Sequence, residues 1–138
     1  MGQASNNVKR ILVVEDEPAI GEVCARTLRA EGFRVDVASS GKGALDVLSN
    51  KSYDLRLIDI RTPEINSIEL YQHLYKEYTE SINKVTFATG DVSSDNIMAF
   101  LQETSRPFLT KPFTPDQLRA IVRAVLGLNQ TVLGKQHV

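Results

Sequence analysis

The chain lacks a surplus of either charge, a second cysteine and any long apolar run, and each absence closes a class of function. Lys and Arg number 16 against 17 Asp and Glu, for a net charge of -1. Nucleic-acid binding through phosphate contacts needs a basic excess, and there is none. A single cysteine, Cys24, excludes an internal disulfide and any cysteine-based zinc cluster, and points to a reducing compartment. The apolar runs are only of strand length, too short to cross a bilayer. The start Met1-Gly2-Gln3-Ala4-Ser5-Asn6 has Asn6 where a myristoylation signal needs Ser or Thr, and lacks the apolar core of a secretory signal. The chain therefore reads as cytoplasmic.

What is present suits one ordinary domain. With 138 residues, 42% of them hydrophobic and 24% charged, the chain can bury roughly two-thirds of its unfolded surface without disulfides or a structural metal. Short apolar runs alternate with segments of helical period, the mark of a parallel sheet covered by helices on both faces. Five strands and five helices are predicted, in a doubly wound α/β arrangement. Ile11-Leu12-Val13-Val14 is a strand buried on both faces. Pro18 opens a first helix carrying Ile20, Val23, Cys24, Thr27 and Leu28 until Gly32 stops it.

The second strand spans residues 33–38, and Ser40 caps a second helix reaching Leu48. The third strand spans 53–59. Asn66 with Glu69 forms a capping-box pattern for a third helix carrying Leu70 and Leu74. Strand four covers 85–88, a weaker fourth helix 94–103 and strand five 108–110. Thr114, Pro115 and Gln117 then announce a fifth helix, with Leu118, Ile121, Val122 and Val125 on one stripe. The domain spans 9–127; residues 1–8 and 128–138 are expected to be flexible ends.

In a parallel sheet the carboxyl ends of the strands share one edge, where ligands bind. Strand one ends in Glu15-Asp16, strand three in Asp59, strand four in Thr89 and strand five in Thr110-Lys111-Pro112. Three carboxylates, a hydroxyl and an ammonium should therefore converge. Clustered carboxylates repel and are costly to bury unpaired, so they imply a cation. An all-oxygen set without His or Cys selects a hard ion, Mg2+ first. With that ion and Lys111 balancing charge, one carboxylate can attack phosphorus to give an acyl-phosphate. His73 and His137 have no partner at ligand spacing and read as surface residues, Cys24 reads as core packing, and Tyr71, Tyr75 and Tyr78 read as shielding one surface of the third helix, with a partner face as the alternative.

These residues resemble a known family, the response-regulator receiver (CheY-like) domain of two-component signalling. The resemblance rests on Ile11-Leu-Val-Val-Glu-Asp-Glu-Pro18, Tyr53-Asp-Leu-Arg-Leu-Ile-Asp59 with Pro63, Phe87-Ala-Thr89-Gly, and Phe108-Leu-Thr-Lys111-Pro-Phe113, in order and spacing from about Arg10 to Leu126. It implies the flavodoxin-like strand order 2-1-3-4-5. It also implies Asp59 as phosphoryl acceptor, and Glu15 and Asp16 as the acidic metal site. The backbone carbonyl of Arg61 would be a further Mg2+ ligand. Thr89 would bond a phosphoryl oxygen, Lys111 would pair with the phosphoryl group across a cis Lys111-Pro112 peptide, and Phe108 would take the aromatic switch position.

The implied partner is a histidine kinase or histidine phosphotransfer protein, with no direct nucleic-acid contact. The implied output is the face of the fourth helix, fifth strand and fifth helix, which a homodimer would also use. Glu15 stands where Asp is more usual, Phe108 lacks a Tyr hydroxyl, Asn66-Ser67 replaces a frequent Asp-Gly, and Arg61 puts a cation two residues past the acceptor. Arg61 and Asp91 are candidate modulators that would cover the phosphoryl group or compete with Mg2+. The Ala-Thr-Gly-Asp91 run, the short fourth helix and Arg106-Pro-Phe-Leu-Thr-Lys111 look like receivers fused to hybrid histidine kinases.

A different class, the haloacid-dehalogenase phosphatases, is faintly echoed by Asp59-Ile-Arg-Thr62 and Thr89-Gly90-Asp91. In that class Asp59 would be the nucleophile. Arg61, however, stands where an acid/base Asp is needed, and the nucleophile strand is third rather than first. A transcription factor would need a basic helix-turn-helix, and none follows Leu126. The expected roles are thus a stand-alone receiver, a receiver from a hybrid kinase or one from a longer regulator.

Overall fold

A computed structural model describes residues 8–60, 72, 84–90, 93 and 95–128. Its elements run β1 (Arg10–Val14), α1 (Pro18–Ala30), β2 (Arg34–Ala38), α2 (Gly41–Leu48), β3 (Leu55–Asp59), β4 (Val85–Thr89), α3 (Asp95–Thr104), β5 (Phe108–Thr110) and α4 (Pro115–Val125). The five strands form one sheet in the order β2-β1-β3-β4-β5, with every neighbouring pair parallel. The expected third helix, with Asn66, Glu69, Leu70 and Leu74, lies outside the described residues, as do Ser94, the three helix tyrosines, His73 and His137. The described α3 and α4 are therefore the predicted fourth and fifth helices.

Successive strand residues point to opposite faces, so an unbroken apolar strand must feed two cores. β1 does so. Ile11 and Val13 join Cys24, Ala25 and Leu28 of α1 and Leu118 and Val122 of α4 in one cluster. Leu12 and Val14 join Ala44 of α2, Phe87, and Phe100 and Leu101 of α3 in the other. β3 carries two exceptions to its apolar pattern, the buried cation Arg56 and the buried terminal acid Asp59.

The punctuation residues act as their chemistry requires. The Ser40 hydroxyl accepts the Gly43 amide at 3.0 Å at the start of α2. Thr114 and Gln117 satisfy one another's backbone amides in a reciprocal box at the start of α4. Gly32, at φ +98, turns the chain out of α1.

Several boundaries differ from the sequence reading. β2 begins at Arg34 because the Phe33 amide still closes α1 onto the Leu28 carbonyl. β3 begins at Leu55: Tyr53 and Asp54 spend their side chains instead, the phenol on Asp36 at 2.6 Å and the carboxylate on the Arg10 amide at 2.8 Å. β4 extends through Thr89, and α3 runs to Thr104. Val23, placed by its spacing on the apolar stripe of α1, is 50% exposed. The amide of Leu128 is held by the Arg123 carbonyl and its side chain packs on the α1/α4 cluster.

Candidate functional site

The loops leaving the strands are tied down by ladder bonds that outlast the strands themselves. The Glu15 amide donates to the Ala38 carbonyl at 2.9 Å, the Ile60 amide to the Ala88 carbonyl at 3.0 Å and the Lys111 amide to the Thr89 carbonyl at 2.8 Å. These bonds tie the carboxyl end of β1 to β2, of β3 to β4 and of β5 to β4, and the β1/β3 ladder through Val14 and Ile58 sets the acidic ends of β1 and β3 side by side. Carboxylate oxygens of Glu15, Asp16 and Asp59 all lie within 4.8 Å of one another. Glu15 and Asp59 are buried, whereas Asp16 is exposed at the mouth.

Lys111 closes the constellation. Its Nζ is 2.9 Å from Glu15 Oε1, 3.4 Å from Asp59 Oδ1 and 3.6 Å from Glu17 Oε1. The second oxygen of Glu15 accepts the Glu17 amide at 3.1 Å. Burial pushes the Glu15 carboxyl above its usual range, with the nearby Asp59 charge adding to the effect and Lys111 opposing it. Lys111 is held above its ordinary value: its desolvation is outweighed by the hydrogen bonds and charges of Glu15 and Asp59. It therefore stays a cation.

A cavity of about 450 Å³ opens over these groups, lined by Asp16, Glu17, Asp59, Gly90 and Lys111. Thr89, just before Gly90, is fully buried. The Lys111-Pro112 peptide is cis. Phe108 stands apart from the cavity, half-buried on the α2/α3 side of the sheet and paired in register with Phe87. The structure thus brings together Glu15, Asp16, Asp59 and Lys111 beside Thr89; Arg61 and Asp91 lie outside the described residues. Glu17 is the member that the sequence reading missed. Its only signal was its place in the same acidic run, two residues after Glu15.

Comparison with known proteins decides the family. The model of the response regulator receiver domain matches residues 11–123. The chain belongs to the response-regulator receiver family. This receiver is 34% identical over 122 residues to the DNA-binding response regulator MtrA of Mycolicibacterium smegmatis, covering 88% of this chain and 52% of that one. It is 38% identical over 117 residues to the uncharacterized transcriptional regulatory protein YrkP of Bacillus subtilis, covering 85% and 49%. The receiver spans about half the length of these curated relatives.

Among solved structures, the CheY-like receiver domain protein of Methanospirillum hungatei superposes with a TM-score of 0.79 at 27% identity, covering 88% of this chain and 95% of that one. The Thermotoga maritima response regulator protein TrrA, solved with Mg(2+)-BeF, gives 0.73 at 30% identity, covering 86% and 99%. Membership sets the dehalogenase-like alternative aside. Among the described residues no helix is long and apolar enough to cross a membrane.

Proposed function

We propose that this receiver takes a phosphoryl group on Asp59 from a phosphohistidine of a histidine kinase or histidine phosphotransfer protein. The observation that carries the reading is the cluster of three carboxylates at the sheet's carboxyl edge, two of them, Glu15 and Asp59, ion-paired to one ammonium. Three acidic oxygen donors with one balancing cation fit a hard divalent ion, so Glu15, Asp16 and Asp59, with the backbone carbonyl of Arg61, would hold Mg2+. When bound, Mg2+ neutralises charge on the transferring phosphoryl oxygens. A carboxylate oxygen of Asp59 forms the new O–P bond as the N–P bond breaks, and the electron pair leaves on the imidazole nitrogen. Lys111, already poised between Glu15 and Asp59, turns its ammonium to the added phosphoryl oxygens, and the Thr89 hydroxyl donates to another.

The added charge of roughly -2 is the switch. Thr89 moves toward it, and Phe108, which has no hydroxyl, follows by packing alone, reshaping the face of α3, β5 and α4. That face is the one proposed for a homodimer. Arg61 and Asp91 follow the acceptor and Thr89 by two residues each. The role proposed for them is a guanidinium, fixed by the acid, that covers the phosphoryl group or competes with Mg2+. Arg61→Met should then tighten Mg2+ binding or speed phosphate loss. The cytoplasm, where such phosphodonors act, is the proposed location, and a kinase-fused parent the proposed context. Incubation with acetyl phosphate, read by intact mass, tests the reading: one phosphoryl should appear with Mg2+ and none in EDTA. Equal incorporation in EDTA would overturn the proposed role of the metal.

A further inference from the structure

The opposite end of the sheet carries a second charged cavity. Arg10 and Arg34 open β1 and β2 and are paired in register, so two guanidiniums leave neighbouring strands about 4.8 Å apart on the same face. Among the described residues neither has a carboxylate within ion-pair distance of its side chain. Such a like-charge pair is unfavourable until an anion bridges it. Arg29 and Lys51 join the pair around a cavity of about 440 Å³, whose remaining walls are Phe33, Val35 and Asp36. This volume lies in the small-ligand range.

Arg29 is pre-oriented, because its Nη2 donates to the Val35 carbonyl at 2.8 Å. Asp36 is the only acid in the wall among the described residues. It is engaged by the Tyr53 hydroxyl at 2.6 Å and the Lys51 ammonium at 3.4 Å. The Tyr53 hydrogen bond holds its carboxyl below the usual range, so it stays charged and neutralises one cation, leaving an excess of three. Strand length puts this cavity about 13 Å or more from the acidic cluster, at the other edge.

We propose that Arg10, Arg29, Arg34 and Lys51 form a second anion site that binds a pyrophosphate group, free or carried by a nucleotide. The charge density decides the class. Two linked phosphates bring roughly three to four negative charges in one compact group with oxygens that match guanidinium forks. A peptide would need three carboxylates from three residues in the same small space.

Calorimetric titration of the full chain with inorganic pyrophosphate, at low salt and without Mg2+, tests the site. Saturable one-site binding is expected, weakened at least ten-fold in Arg34→Gln. Pyrophosphate should raise the Tm of the wild type and leave that of Arg10→Gln/Arg34→Gln unmoved. Amide shifts should gather at Arg34, Val35 and Lys51, while acetyl-phosphate labelling of Arg34→Gln stays unchanged. ADP binding ten-fold tighter than pyrophosphate would support a nucleotide as the source, and equal binding the free anion. Absence of saturable binding, equal affinity in Arg34→Gln, citrate matching pyrophosphate, a DNA duplex displacing it at lower concentration, or shifts centred on Asp59 would each overturn the proposal.

Discussion

Asp59→Asn should make the metal-free protein more stable. In the wild type the Asp59 carboxylate lies within 4.8 Å of the Glu15 and Asp16 oxygens. At an effective dielectric constant of about 20, each such pair repels by about 3.5 kcal/mol. The opposing attraction to Lys111 at 3.4 Å is about 5 kcal/mol on the same scale. Among the described groups, two repulsions outweigh one attraction by about 2 kcal/mol; the exposure of Asp16 reduces this and the burial of Asp59 adds to it.

An amide of the same shape removes the charge and leaves the packing intact. The expected gain is about 1–2 kcal/mol, and with an unfolding entropy of about 2.1 cal/mol/K per residue that raises Tm by roughly 3–7 °C. The assay is urea unfolding at neutral pH, in EDTA and in millimolar Mg2+. Mg2+ should stabilise the wild type through mass action and stabilise Asp59→Asn less, so that the two curves approach each other when the metal is added. A variant less stable than wild type in EDTA, or one that keeps the full Mg2+ increment, would refute the electrostatic account of the cluster.

Thr114→Ala removes one half of the capping box of α4 and should cost about 1 kcal/mol, or about 3 °C in Tm by calorimetry. Tyr53→Phe deletes the hydroxyl that donates to Asp36 at 2.6 Å and should cost about 1 kcal/mol at neutral pH. Because the folded Asp36 carboxyl is held below its unfolded value, its contribution is complete above about pH 4 and fades as pH falls through the lower folded value. Urea midpoints of wild type and Tyr53→Phe should therefore converge in acid, and a constant gap would count against the bond. Cys24 is buried, and desolvation pushes its thiol up to about 11. A disulfide reagent at neutral pH should thus label it only as fast as the protein opens, and rapid native-state labelling would contradict its place in the core.

The carboxyl edge of the sheet was legible because it depends on topology rather than on fine geometry. Once the apolar runs of β1, β3, β4 and β5 were recognised as parallel strands, Glu15-Asp16, Asp59, Thr89 and Lys111 had to be neighbours. Caps were equally readable: Ser40, Thr114 and Gln117 act within three residues of themselves. Long-range exchange was not readable. The start of β3 moved because Asp54 and Tyr53 bond to Arg10 and Asp36, which are distant in sequence. Val23 has the spacing of a core residue, but the apolar stripe of α1 is wider than the surface available to cover it. Glu17 joined Lys111 only through the path of the loop after β1. The juxtaposition of Arg10 and Arg34 likewise needed the register of two strands, which apolar runs alone do not specify.

The most direct test of the central claim is to locate the phosphoryl group chemically. After acetyl phosphate treatment with Mg2+, borohydride reduces an acyl-phosphate to an alcohol and marks the residue that carried it. Peptide mass mapping should find the mark on Asp59 in the wild type and nowhere in Asp59→Asn. A mark on Glu15, Asp16 or Glu17, or one that persists in Asp59→Asn, would contradict the assignment of Asp59 as the acceptor.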